Sequence, residues 1–206
     1  MRAAGRRGLL TASLIALSAN WLEPVVDDAL FELLVLAKVL HLIEHDLGYG
    51  APASIGLLFK GADKVARFHK GPWTLDVHFD RAAPPIFGGK SRYSGLREDY
   101  AGLSLADRRP DITVSWTDGT ERRAMLLELK CTFDPVYIRQ SIYKAFGYAH
   151  DLANVVPFSS ATGGIAVVFP QGAGVTRRAA VSDRVSLYQE TDASLREALL
   201  IGGVPA

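Results

Sequence analysis

Residues 109–131 read RPDITVSWTDGTERRAMLLELKC, and this stretch decides the fold. Ile112, Val114 and Trp116 alternate with Thr113, Ser115 and Thr117, the period of a strand with two unlike faces. Asp118-Gly119 is a pair favoured in two-residue hairpin turns. The return arm runs from about Arg122 to Cys131, and Met125, Leu126, Leu127 and Leu129 make it nearly continuous in apolar residues. Such a run marks a central strand buried on both faces. A two-residue turn puts Thr117 opposite Thr120 and Asp111 opposite Leu126. Strand side chains alternate, so Asp111, Leu126, Glu128 and Lys130 share one face. Asp111 and Glu128 are then diagonal neighbours, with Cβ atoms roughly 7–8 Å apart.

Two carboxylates at that separation can both reach one hard cation. Magnesium takes oxygen ligands at about 2.0–2.1 Å and keeps several waters. The backbone carbonyl of Leu129 is a candidate further ligand. Lys130 is placed to orient or activate a water and to stabilise charge on a phosphate. The competing reading is an ion pair on a half-exposed strand, which is common and contributes little. The apolar neighbours weigh against it, because charges among them are costly unless paired or metal-bound.

Upstream, two helical stretches are expected at about 9–20 and 24–47. Pro24 suits a first turn, and Asp27 and Asp28 suit the positive N-terminal end. On the second helix, plotted at about 100° per residue from Glu32, Val25 and Ile43 fall at about 20° and Leu36 at about 40°. Lys38, His41, Glu44 and His45 fall on the opposite side. Glu32 is therefore an acid in the middle of an apolar face. It is either a snorkelling acid or a third carboxylate for the same site, since a buried carboxylate needs a partner or a raised pKa.

Short strands are expected near 55–60 and 64–69, and a clearer one at Trp73–Asp80, where Leu75, Val77 and Phe79 alternate with polar residues. Residues 81–108 read as a long loop, punctuated by Pro84, Pro85, Gly88, Gly89, Gly95 and Gly102. The segment carries Arg81, Lys90, Arg92, Arg97 and Arg108, with Arg109 directly after it and Tyr93 and Tyr100 between them. After the hairpin, Asp134-Pro135 starts a helix reaching about Asn154. Gln140, Lys144 and Tyr148 are spaced by four on one side of it, with Arg139 adjacent. On position alone Gln140 is better placed than Lys144 to touch a substrate. Strands at 164–170 and 184–189 and a helix at 192–200 close the chain.

The chain has 206 residues, 49% hydrophobic and 22% charged, with net charge +1. That is an ordinary α/β composition, and the balance of charge neither demands nor excludes a nucleic-acid partner. No boundary divides the chain, so one domain is expected over 1–206, with a helical extension at 1–23 and the core at 24–190. Cys131 is the sole cysteine, which rules out an internal disulfide and a Cys-rich zinc site. A reducing cytoplasm is the expected compartment. A basic start at Met1–Gly8 and an apolar Leu9–Ala19 have the outline of a secretory signal. Thr11, Ser13, Ser18 and Asn20 interrupt the run, which favours a packed helix. No apolar run has the length of a membrane span.

Together these residues resemble the PD-(D/E)xK, or restriction-endonuclease-like, superfamily: Pro110-Asp111, then Glu128-Leu129-Lys130, then a helix with Gln140. The spacing of the acids and the order of elements fit its αβββαβ core, a mixed central sheet flanked by helices. Phe31-Glu32-Leu33, Arg109-Pro110-Asp111-Ile112, Gln140 and Tyr148 look most like McrC-type restriction nucleases. Many of those have Asp where this chain has Glu128. The resemblance covers about 24–190 and implies a metal-dependent endonuclease. Asp111, Glu128, the Leu129 carbonyl and Glu32 would hold Mg2+ or Mn2+, Lys130 would serve the water, and Gln140 would help place the scissile phosphate. DNA is the implied substrate ahead of RNA, with Arg92, Tyr93, Arg97, Arg108, Arg109, Arg139 and Lys144 on its backbone. Defence against foreign DNA is the implied role, as a homodimer or beside a separate NTPase subunit. No P-loop is present in this chain. The alternatives are a catalytically inactive module of the same fold, serving as a nucleic-acid-binding or scaffold subunit, and a glycosidase using an acid pair. An intact acid set speaks against the first. Lys130 and the lack of sugar-stacking aromatics beside the acids speak against the second.

Overall fold

A computed structural model describes residues 27–56, 64–104, 108–159 and 162–206. The expected helix at 9–20, the Pro24 helix start and most of the expected 55–60 strand lie outside them. The protein is a mixed α/β structure built on a seven-stranded mixed sheet with helices on both faces. The strands are β1 (Ser54–Ile55), β2 (Ala66–Lys70), β3 (Trp73–Phe79), β4 (Ile112–Thr117), β5 (Arg122–Leu129), β6 (Ile165–Phe169) and β7 (Val185–Gln189). They lie in sequence order across the sheet. β1 to β5 pair antiparallel, whereas β5, β6 and β7 pair parallel. Among the described residues no helix is long and apolar enough to cross a membrane.

Helix α1 (Asp27–His41) continues into one π-helical turn, Leu42–Asp46, so the expected helix ends close to its predicted limit. Its buried residues are Phe31, Val35, Leu36, Val39 and Leu40, and Glu32 sits within that arc, partly buried. α1 packs with α5 (Asp192–Ile201) on one face of the sheet, against Leu75, Val77, Ile112, Val114, Met125, Leu127 and Leu129. The other face is covered over β5 and β6 by α4 (Pro135–Asp151), through Ala145, Tyr148 and Leu152. Asp134 caps α4, its carboxylate accepting the Val136 N–H at 2.8 Å. The β5–α4–β6 crossover is what makes this half of the sheet parallel.

Two expectations change. Residues 81–108 are not one loop: α2 (Ala83–Phe87) and α3 (Arg92–Asp99) form within them. Pro84 and Pro85 are tolerated because they occupy a first turn, and Ser91 caps α3. α3 buries none of its residues, so it has no apolar stripe to betray it. The hairpin turn is also wider than two residues. Thr117 pairs with Arg122, leaving 118–121 as the loop. The Asp118 carboxylate accepts from the Thr120 N–H at 2.9 Å, the Thr120 hydroxyl at 2.7 Å and the Glu121 N–H at 3.2 Å, and Gly119 takes φ +94°. Those hydrogen bonds hold the Asp118 pKa down to about 2. The loop shifts the register by two residues, an even step that leaves every side chain on its expected face. The alternation on β3 is present, and its polar positions 76 and 78 are covered. Asp76 and His78 are buried beside Thr113 and Ser115 of β4. Arg67 grips Asp76 with two hydrogen bonds of 2.6 Å. Burial pushes the Asp76 pKa up, but Arg67 and Lys64 outweigh it and hold the carboxylate low.

Candidate active site

With Ile112 opposite both Phe79 and Leu127, one further step of the ladder brings Asp80, Asp111 and Glu128 into one cross-strand row. The Asp80 N–H donates to the Asp111 carbonyl at 2.8 Å, and the Leu129 N–H donates to Asp111 Oδ2 at 2.5 Å. Asp111 and Glu128 are thus direct rather than diagonal neighbours. The row lies at the C-terminal ends of β3 and β5, the end of a sheet where α/β proteins place ligands.

Glu128 is fully buried. Its Oε1 accepts from Lys144 at 2.5 Å and lies 2.8 Å from the Lys130 ammonium. Its Oε2 is buried without a hydrogen-bond partner. Lys130 also donates to the Leu129 carbonyl at 2.7 Å and stands 3.7 Å from Asp111 Oδ2, so its ammonium sits among both carboxylates and the carbonyl. Burial would lower the Lys130 pKa, but the Asp111 and Glu128 carboxylates raise it, and the group stays charged.

Burial pushes the Asp111 pKa up to about 7, with the Glu128 charge adding to the rise and Lys130 and the Leu129 N–H opposing it. Glu32 reaches the same field from α1. Burial raises its pKa most, Lys130 lowers it, and Asp80, Asp28 and Glu128 raise it further. The Tyr148 hydroxyl donates to the Arg109 carbonyl at 3.0 Å, and burial with the Glu128 and Asp111 charges drives its pKa upward.

Asp111, Glu128, Lys130 and Lys144 come together, with the Leu129 carbonyl on the Lys130 ammonium, and Glu32 acts on them only through its charge from α1. Lys144, not Gln140, is the α4 side chain that meets Glu128. Gln140 lies one turn earlier, exposed, as does Arg139. Arg109 stands 3.8 Å from Asp80. Arg108 stacks over the Tyr148 ring at 5.5 Å and approaches Asp151 at 3.9 Å. A Cβ at position 147 would meet Arg108 Nη1 at 2.6 Å, so Gly147 leaves the space this stack needs. The remaining predicted contacts stay in the outer layer. Arg97 stacks on Tyr93 at 5.6 Å and donates to Ser94 Oγ at 3.1 Å. Tyr93 donates its N–H to Asp151 at 2.6 Å, and Arg92 lies 3.4 Å from His150 Nε2.

Sequence reasoning missed Asp80, which takes φ +44°, the one non-glycine residue with positive φ among the described residues. The signal was available: an acid closes the β3 strand next to the strand that begins at Asp111.

The donor chemistry suits a hard divalent cation, which prefers carboxylate and carbonyl oxygens. Glu128 Oε2 and Asp111 are the oxygens such an ion would meet, and burial together with the Glu128 charge raises the Asp111 pKa. Among the described residues no three His, Cys, Asp or Glu side chains close on one point, so two carboxylates, a carbonyl and waters are the set that fits. Compared with protein-family models, curated proteins and solved structures, the chain matches none.

Proposed function

We propose that this protein is a metal-dependent nuclease of restriction-endonuclease-like core, hydrolysing phosphodiester bonds in DNA. The observation that carries the reading is the Asp111–Glu128 pair, Glu128 fully buried and Asp111 partly so, with the Lys130 ammonium between the carboxylates. Asp111, Glu128 and the Leu129 carbonyl would hold Mg2+ or Mn2+, with Glu32 as a further acid. The ion would polarise the phosphate and lower the pKa of a bound water. Lys130 offers a fixed positive charge to the oxygen that becomes more negative in the transition state. Tyr148 fixes the Arg109 backbone beside the acids. Arg108, Arg109 and Lys144 supply cations for phosphate contacts. A role in defence within the cytoplasm, as a homodimer or beside a separate NTPase, completes the proposal on the resemblance alone.

The test is cleavage of double- and single-stranded circular DNA with and without magnesium. Wild type cuts with magnesium. Asp111→Ala and Lys130→Ala are each slower by about 100-fold or more. If wild type cuts no substrate, the nuclease reading fails; if the variants cut equally well, the site assignment fails.

A specific observation favours one other reading. Both Lys130 and Lys144 rest on Glu128 Oε1. Two ammonium groups can neutralise the pair without a metal, as in an inactive nucleic-acid-binding or scaffold subunit. A magnesium-dependent rise in melting temperature for wild type, absent in Asp111→Ala, separates the two.

A further inference from the structure

The outward side of α4 gathers several exposed aromatic residues. Tyr137 and Tyr143 are 60% and 69% exposed, and Phe133, just before the helix, is 61% exposed. At about 100° per residue the exposed arc runs from Phe146 through Arg139, Tyr143, Val136 and Gln140 to Lys144 and Tyr137. Val136 is nearest its centre, and Tyr143 and Tyr137 stand about 120° apart on either side of it. Tyr137 lies two turns before Lys144 on the flank nearest the carboxylates, roughly 10 Å along the helix. Large exposed apolar surface of this kind marks a site of interaction.

Its charge says with what. From Pro135 to His150 the helix has no acidic residue, and its single acid, Asp151, is buried and held by the Tyr93 N–H and Arg108. Arg139 and Lys144 lie on the face, and Arg92 and Arg108 border it. A second copy of the chain is a poor occupant, because a two-fold contact would set these cations against their own counterparts. A polyanion with flat apolar faces fits both features. Paired bases hide their faces in the stack, whereas unpaired bases offer them to aromatic side chains.

We propose that α4 is a platform for single-stranded nucleic acid, with Tyr137 and Tyr143 stacking unpaired bases and Arg139 contacting the backbone. The platform leads the strand to Lys144 and the buried acid pair. The inference rests on the nuclease reading for its direction, and it names the substrate form that reading leaves open.

The test is fluorescence anisotropy of a labelled oligothymidylate and of a hairpin duplex of equal length, in EDTA so that nothing is cut. The single strand binds more tightly than the duplex. Tyr137→Ala and Tyr143→Ala each weaken single-strand binding by about tenfold, the scale of one base stacked on a ring, and Tyr143→Phe restores it. Arg139→Ala lowers the slope of log affinity against log salt by about 0.7. Both tyrosines are exposed, so thermal melting of the variants stays at the wild-type value. Equal affinity for the two oligonucleotides with no loss in the tyrosine variants overturns the inference, even if wild type cuts duplex DNA. So does a dimer in sedimentation that the same substitutions abolish. Tyrosine-dependent binding without any magnesium-dependent cleavage keeps the inference and removes the nuclease reading.

Discussion

The two faces of the sheet obey different rules. Against α1 and α5, the strands present Leu75, Val77, Ile112, Val114, Met125 and Leu127, an unbroken apolar layer. On the α4 side, β5 presents Ala124 and Leu126 to the helix, but β3 and β4 present Asp76, His78, Thr113 and Ser115, and the strand ends present Asp111 and Glu128. Both faces are buried, so burial alone does not distinguish them. The first stabilises by removing apolar area from water. The second must satisfy polar groups within itself, and at Glu128 Oε2 and Thr113 Oγ1 it does not. A face that keeps costly groups where apolar ones would pack is the face to search for function.

Three substitutions probe that contrast, beginning with the largest effect. Burial holds a proton on Asp111 in the folded state up to about pH 7, against an ordinary aspartate value of 3.8. The folded protein therefore holds more protons than the unfolded one between these values, and stability falls as pH rises through that window. Asp111→Asn keeps an oxygen for the Leu129 N–H and removes the buried charge. Urea unfolding at pH 8 shows the variant more stable than wild type by on the order of 3 kcal/mol, and the gap closes near pH 4. A gap independent of pH would break the electrostatic account of the polar face.

Neighbouring residues of β4 supply a sharper pair, because they have the same shape and point to opposite sides. Val114→Thr puts a hydroxyl into the apolar layer and costs about 2 kcal/mol. Thr113→Val removes a buried hydroxyl that has no partner and stabilises by about 1 kcal/mol. Denaturant midpoints at one pH measure both. Equal losses in the two variants would mean that the faces are equivalent.

What sequence could show follows from the same contrast. The acid pair was legible because strand side chains alternate and because the error in the hairpin register was two residues, not one. Glu32 was legible because a single acid interrupts an apolar helical stripe. α3 was hidden because it buries nothing, and the burial of Asp76 and His78 was hidden because alternation reads the same on a wet face and a covered one. Lys144 was undervalued for a similar reason. Its meeting with Glu128 is a contact between layers, and no local spacing encodes the distance from a helix to the sheet beneath it.

The four-residue loop at 118–121 has a practical consequence. It caps the β4–β5 ladder at the end away from Asp111 and Glu128, and the intervening strand spans roughly 20 Å. Its residues Asp118, Gly119, Thr120 and Glu121 are all exposed. A reporter, an affinity handle or a tether grafted there sits on the tip of a rigid rod, clear of both the acids and the aromatic helix. The molecule thus has a natural point of attachment, set by its own hairpin, from which it could be anchored to a surface with its chemistry facing outward.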